Sequence, residues 1–228
     1  MSEKYDEAYA IAIDLCEGNK ERQNEENRII EEAYKMIEKN GYDKMPVIVL
    51  DAGGTNFRAA TVCFDDNGTP VISNFSKQPM PGTQGELSRE EFFDTIAGFI
   101  APFDKISDTV GFCFSFPTEI LPNCDGRLIN FNKEVKVRDM AGQIIGEGIN
   151  SSLKKMGCSE KHFVIINDTV ATMLGGIAAF PDRDFDSYIG FILGTGTILA
   201  TEKAGESEIV AAFLAPEAIG RGLGRCLF

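Results

Sequence analysis

Residues 50–60, LDAGGTNFRAA, constrain the fold of this chain more than any other stretch. An apolar run at 47–50 leads into Asp51, two glycines follow, and a second apolar run begins after Arg58. This order predicts a strand, a glycine-rich turn and a second strand. Paired glycines let backbone N–H groups point into one concavity, which suits an anion. The stretch therefore predicts a hairpin whose turn faces a phosphate.

The side chains around this turn suit the same ligand. Thr55 and Asn56 add donors, Arg58 adds a planar guanidinium for phosphate oxygens, and Asp51 suits a hydrated Mg²⁺. The stretch is not a Walker A loop, because no Gly-Lys-Ser/Thr follows and the next element is a strand. A plain hairpin with a glycine turn is the alternative interpretation.

Composition excludes several classes of protein. A formal charge of -13 over 228 residues argues against nucleic acid or an anionic membrane as the main partner. No apolar run approaches the ~18 residues of a membrane span, and the acidic N-terminus is unlike a signal peptide. Six cysteines lack any C-x-x-C spacing, and His162 is the single histidine, which argues against a histidine zinc site or triad. We expect a reduced, cytoplasmic protein.

The apolar periodicity indicates helices first and an α/β pattern from residue 46 onward. Helices are predicted at 3–16 and 25–39, with Asn40-Gly41 ending the second one. Ser88 and Glu91 form a capping-box signature for a later helix. The predicted strands are 46–51, 56–64, 70–76, 109–115 and 162–167, the later helices are 88–102, 141–156 and 169–179, and a final hairpin pairs 187–194 with 198–203.

Four polar motifs follow apolar strands directly. Asp51, Ser115, Asp168 and Gly194 each stand where a predicted strand ends. Ligands of α/β sheets bind at the carboxyl ends of strands, so a shared cleft is expected. The strand, glycine turn and strand of 51–58 recur around 194–197, which indicates a duplicated architecture with two phosphate-facing turns.

Each motif also has a plainer interpretation. Ser115 before Phe116-Pro117 could belong to an ordinary turn, and the segment 128–133 could be a solvated loop. Asn167 or Asp168 could simply cap the helix that follows. A carboxylate at a strand end inside a cleft can also accept a proton from an attacking hydroxyl, and the two roles are compatible.

Taken in order, five motifs resemble the hexokinase family, which belongs to the actin-like, ribonuclease-H-like ATPases. The resemblance covers residues 46 to 197 and implies an α/β actin-like ATPase fold, a hexose substrate such as glucose, and MgATP as donor. It implies Asp168 as the base that activates the sugar 6-hydroxyl. The implied sugar ligands are Ser115, Pro117, Asn132, Lys133 and Asn167. The implied ATP-phosphate ligands are Asp51, Gly53, Gly54, Thr55, Asn56, Arg58, Gly194, Thr195, Gly196 and Thr197.

The sequence also departs from the family pattern. Phe131-Asn132-Lys133 stands for the family's Trp-Thr-Lys, Glu134-Val135 for its Gly-Phe, and Ile198 for an asparagine that binds sugar. Beyond Thr201 the resemblance fades, and 211–228 reads as an atypical tail of a C-terminally truncated chain. The expected organisation is a helical segment 1–45, a small lobe 46–168 and an incomplete large lobe 169–228.

Two functions from different classes follow. One is phosphotransfer to a hexose; the other is a non-catalytic hexokinase-like module that binds sugar or nucleotide, favoured by Ile198 and the shortened large lobe. Repressors that share the Gly-Gly-Thr turn fit less well, because residues 1–40 are acidic and a Cys/His cluster is absent. The exposed apolar residues Ile189, Phe191 and Leu193 predict self-association, or fraying beyond about residue 185.

Overall fold

A computed structural model describes Arg28 and residues 45–66, 69–131, 134–179, 187–193, 197–203 and 206–208. Apart from Arg28, the helices expected at 3–16 and 25–39, the turn at Asn40-Gly41 and the tail 211–228 lie outside these residues. The chain divides into two compact units, Glu32–Asp168 and Met1–Glu31 together with Thr169–Phe228.

The Glu32–Asp168 unit is built on one mixed sheet. Its order is β3-β2-β1-β4-β7, with β1, β2 and β3 antiparallel and with β4 parallel to both β1 and β7. Each predicted strand is confirmed to within three residues at either end. The strands are β1 Val47–Ala52, β2 Asn56–Phe64, β3 Pro70–Pro79, β4 Thr109–Phe114 and β7 His162–Ile166.

Burial alternates along β1, which shows which face of the sheet packs against the core. Ile48, Leu50 and Ala52 are fully buried, whereas the intervening residues are half-buried. Successive side chains of a strand point to opposite faces, so one face carries the core. Phe112 on β4 is likewise fully buried.

Two helices cover this core. The first, α1, spans Arg89–Ile100, and the predicted capping box between Ser88 and Glu91 is confirmed. A short 3-10 helix, Ala101–Phe103, follows it. The second, α2, spans Ile145–Lys155, four residues shorter at its start than expected. The two helices pack closely, because α2 presents Gly148 to the Phe93 ring of α1.

The sequence missed a small hairpin, β5 Thr118–Ile120 and β6 Gly126–Leu128. Strands of three residues carry too little alternation to show in a periodicity pattern. The hairpin is joined to α2 by Asp125, whose carboxylate accepts hydrogen bonds from the backbone N–H groups of Gly146 and Glu147 at 2.8 and 3.0 Å. The start of α2 is thus capped from a distant segment.

The second unit contains α3 Asp168–Ala179 from Thr169 onward, and a sheet of order β10-β9-β8. The predicted final hairpin is confirmed as β8 Ser187–Leu193 and β9 Thr197–Lys203, and a short β10, Glu206–Glu208, was not predicted. No helix in the described part of the chain is long and apolar enough to cross a membrane. No disulfide joins the four cysteines described there, Cys63, Cys113, Cys124 and Cys158, which are half-buried.

Candidate functional site

Three neighbouring strands end at one edge of the five-stranded sheet. Ala52 of β1 lies opposite Phe114 of β4, and Cys113 of β4 lies opposite Ile166 of β7, all in parallel register. The residues that follow these strands therefore meet at the same edge. Asp51 with the turn 53–55, Ser115, and Asn167 with Asp168 are brought together there.

The turn between β1 and β2 is tightly closed. Gly53 donates its N–H to the carbonyl of Asn56 at 3.0 Å, and Met80 donates to the carbonyl of Thr55 at 3.0 Å. A Cβ added at Gly53 would meet the Asn56 oxygen at 3.5 Å, an ordinary contact, so no neighbouring atom crowds this position. The positive-φ glycines of the described residues are Gly82, Gly142 and Gly157, so neither Gly53 nor Gly54 is needed for a positive φ. A glycine-rich turn that is uncrowded on this side has room for a phosphate.

Asp51 and Arg58 sit on opposite sides of this turn. They are register partners across β1 and β2, and the Arg58 guanidinium forms an ion pair with the Asp51 carboxylate. The two side chains are 34% and 41% exposed, so both remain accessible to a ligand. The donor set of carboxylate and guanidinium fits a magnesium–phosphate group.

Ser115 links this turn to the next motif. Its backbone N–H donates to the carbonyl of Ala52 at 3.1 Å, which places it beside the start of the Gly53 turn. Ser115 is buried, with 6% of its surface exposed. Two residues on, the carbonyl of Pro117 accepts a hydrogen bond from the N–H of Ile129 at 2.9 Å. The segment 115–117 is therefore fixed on both sides.

Asn167 and Asp168 follow the end of β7. Asp168 is the first residue of α3 and is 9% exposed, and the adjacent Thr169 is 1% exposed. A helix N-terminus favours a negative charge. Asp168 is therefore held at this edge with little contact with water.

The structure leaves part of the predicted site undescribed. Asn132, Lys133, Gly194, Thr195 and Gly196 lie outside the described residues. Thr197 is the first residue of β9, in the other unit. Phe131, directly before Asn132, is described and packs its ring perpendicular to that of Phe116, with centroids 4.9 Å apart.

Two carboxyl groups with a lowered pKa, those of Asp104 and Asp108, lie at the opposite edge of the sheet. The buried ammonium of Lys161 donates to the side chain of Asp108 at 2.9 Å and to the backbone carbonyl of Asp104 at 2.8 Å. Hydrogen bonds from Lys161 and Ser159 hold the pKa of the Asp108 carboxyl below its usual range. Hydrogen bonds from Lys105, Ser159 and Lys161 hold the pKa of Asp104 well below its usual range. This cluster joins the amino ends of β4 and β7 and is structural.

Sequence reasoning passed over Asp125. Burial raises the pKa of its carboxyl, although N–H donors from Gly146, Gly126 and Glu147 act in the opposite direction. The Asp-Gly pair at 125–126 is a turn signal that could have revealed the hairpin, but no local pattern reveals the distant helix that it caps.

Comparisons with known proteins agree with one another. A family model described as Hexokinase matches residues 21–178. Hexokinase-7 of Oryza sativa subsp. japonica is 31% identical over 177 residues, which cover 72% of this chain and 37% of that protein. Hexokinase-3 of Homo sapiens is 33% identical over 165 residues, which cover 69% of this chain and 17% of that protein. The chain thus spans about a third of the rice relative's length.

Solved structures show the same fold. A hexokinase from Schistosoma mansoni complexed with glucose matches with a TM-score of 0.58 at 22% identity, over 83% of this chain and 50% of that one. A second hexokinase crystal structure matches with a TM-score of 0.51 at 18% identity. The α/β sheet is therefore that of the actin-like ATPases, as the sequence predicted.

Proposed function

Because the chain belongs to the hexokinase family, we propose that it transfers a phosphoryl group from MgATP to the 6-hydroxyl of a hexose such as glucose. The observation that carries this proposal is the meeting of three motifs at one sheet edge. The Gly53 turn, Ser115 and Asp168 follow the parallel strands β1, β4 and β7. Phosphoryl transfer needs a phosphate site, an alcohol site and a base in that proximity.

On the phosphate side, the turn 53–55 is uncrowded at Gly53. The N–H groups of Gly54 and Thr55 are the ones that would bind phosphate oxygens, because the Gly53 N–H already donates to Asn56. Arg58 is the residue that would neutralise phosphate oxygens, and Asp51 is the one that would hold the water shell of Mg²⁺. When bound, the metal supplies charge neutralisation for the transferred group. The ion pair between Arg58 and Asp51 holds both side chains beside the turn.

On the sugar side, Ser115 and Asn167 are the described residues that would bind hydroxyls, and Lys133 and Asn132 are proposed to join them. Asp168 accepts the proton of the 6-hydroxyl as that oxygen forms its bond to the γ-phosphorus. The bond from the γ-phosphorus to the bridging oxygen breaks, and ADP leaves with the electron pair. The 9% exposure of Asp168 supports this role, since a base sheltered from water favours transfer over hydrolysis.

A second candidate is a module that binds hexose or nucleotide without transfer. It is favoured by Ile198, which stands where the family has a sugar-binding asparagine. A missing hydrogen-bond partner costs about 1–3 kcal/mol, which weakens the sugar complex. Because the match covers 37% of the rice protein, the activity of a whole hexokinase is a proposal for this chain.

Glucose-dependent ADP formation tests the proposal. We expect Asp168→Asn to lower turnover by about 10²–10⁴-fold, the usual contribution of a positioned base. Asp139→Asn is the matched control, because Asp139 is exposed and its φ of 57° is tolerated by asparagine. Glucose binding by calorimetry without ADP formation would support the binding module. If the chain binds neither glucose nor Mg-ADP and shows no turnover, both functions are contradicted.

A further inference from the structure

Aromatic rings flank the site residues of the Glu32–Asp168 unit in a repeated way. Phe57 lies between Asn56 and Arg58, Phe116 lies between Ser115 and Pro117, and Phe131 precedes Asn132-Lys133. Phe57 and Phe116 are each 1% exposed. A ring that turns inward leaves its neighbours along an extended chain on the outer side, where a ligand can reach them.

These rings form one continuous row with the β4 phenylalanines. Centroid distances are 6.0 Å from Phe57 to Phe112, 5.2 Å from Phe112 to Phe114, 5.1 Å from Phe114 to Phe116, and 4.9 Å from Phe116 to Phe131. All four distances lie within the range of favourable ring pairs. We call the five residues the aromatic row.

Phe131 differs from the other members. It is half-buried, it lies outside any strand or helix, and its ring also contacts Phe92 of α1 at 5.3 Å. Two residues before it, the N–H of Ile129 donates to the carbonyl of Pro117. This backbone bond and the ring contact with Phe116 hold Ile129 and Phe131 against the segment 115–117.

We propose that Phe131 is a positioning residue, whose perpendicular contact with Phe116 fixes the segment 115–117 and so sets the affinity for sugar. The inference rests on the proposed function, because it takes the ligand of Ser115 and Pro117 to be a hexose. Phe131 touches no reacting group; it acts through the two neighbours of Phe116.

The contact makes a prediction that separates sugar from nucleotide. Phe131→Leu removes the ring at the sugar end of the row and leaves Phe57, beside the phosphate turn, in place. We expect the Kd for glucose to rise about tenfold while the Kd for Mg-ADP stays within about twofold. The amide of Ile129, which bonds to Pro117, should exchange with solvent about tenfold faster.

Two further variants keep the test sharp. Phe131→Trp retains an aromatic ring and should stay within about threefold of the parent for both ligands. Phe103→Leu is the control for a general loss of core packing, since Phe103 is 7% exposed and lies in the short 3-10 helix after α1. It should change neither Kd.

The outcomes are distinguishable. Parental glucose affinity in Phe131→Leu, or unchanged exchange at Ile129, would overturn the inference while the proposed function stands. Equal weakening of both ligands in Phe131→Leu and Phe103→Leu would show that the ring serves core packing only, and would also overturn the inference. A parent chain that binds Mg-ADP but not glucose would contradict the proposed sugar site, and the sugar role of Phe131 with it.

Discussion

Asp51 and Arg58 are paired twice, once by strand register and once by charge. They are opposite one another across β1 and β2, and their side chains form an ion pair beside the Gly53 turn. An exposed ion pair contributes only about 0–1 kcal/mol to stability. Its position beside the Gly53 turn fits the proposed role in binding phosphate better than a role in folding.

The first prediction concerns this arginine. Arg58→Gln should lower the free energy of unfolding by less than about 1 kcal/mol, because both side chains are partly solvated. It should weaken Mg-ADP binding about tenfold or more, because a charged hydrogen bond to phosphate is lost. Urea unfolding and calorimetry measure the two effects on the same sample.

Arg127→Gln is the matched control for Arg58→Gln. Arg127 pairs with Glu119 at 3.0 Å with similar exposure, 45% and 38%, but lies on the β5–β6 hairpin. It should cost a similar small amount of stability and leave nucleotide affinity unchanged. If the Arg58→Gln and Arg127→Gln variants have equal nucleotide affinities, Arg58 stabilises the β1–β2 hairpin and does not bind the nucleotide.

The second prediction concerns pH. Asp104 and Asp108 have a lower pKa in the folded chain than in the unfolded chain, where the pKa of an aspartate is about 3.9. The stability that they contribute is therefore present above about pH 4 and is lost as the pH falls below that value. Asp104→Asn should lower the Tm at pH 7 and make the acid-induced fall in Tm shallower.

Glu86→Gln serves as the control in that pH series. Glu86 pairs with Arg138 at 3.6 Å, and both side chains are well exposed. Its Tm should follow that of the parent at every pH. An Asp104→Asn curve parallel to the parent's would show that the Lys161 cluster does not govern acid stability.

The third prediction tests the approach of α1 and α2. A Cβ at Gly148 would lie 2.3 Å from the Phe93 ring, whereas a Cβ at Gly98 would meet no atom within 4 Å. Gly148→Ala should destabilise, because about 1–3 kcal/mol of overpacking exceeds the gain of about 1 kcal/mol in helix propensity. Gly98→Ala should stabilise by about 0.5–1 kcal/mol. If both variants shift the urea midpoint in the same direction relative to the parent, this packing is contradicted.

Local signals account for most of what the sequence predicted. The Gly53-Gly54 turn between apolar runs specified the first hairpin, and Ser88 with Glu91 specified the start of α1. The apolar runs before Ser115 and Asp168 specified β4 and β7. Because parallel strands align their carboxyl ends, these local predictions also place the predicted motifs of this unit at one edge.

Distant contacts explain what the sequence did not predict. Asp125 caps α2 across 21 residues, and Lys161 reaches Asp104 across 57. Neither pairing has a sequence spacing that marks it. Neither Gly53 nor Gly54 has a positive φ, so the first turn does not depend on a left-handed glycine.

The central claim is that a hexose binds where β1, β4 and β7 end, and a glucose titration of the ¹⁵N-labelled chain tests it most directly. We predict that the amide signals of Ser115, Asn167 and Asp168 shift together with one saturation curve. Those of Asp108 and Lys161, at the opposite edge of the same sheet, should stay in place. Shifts confined to that opposite edge, or no shift at any glucose concentration, would contradict the account.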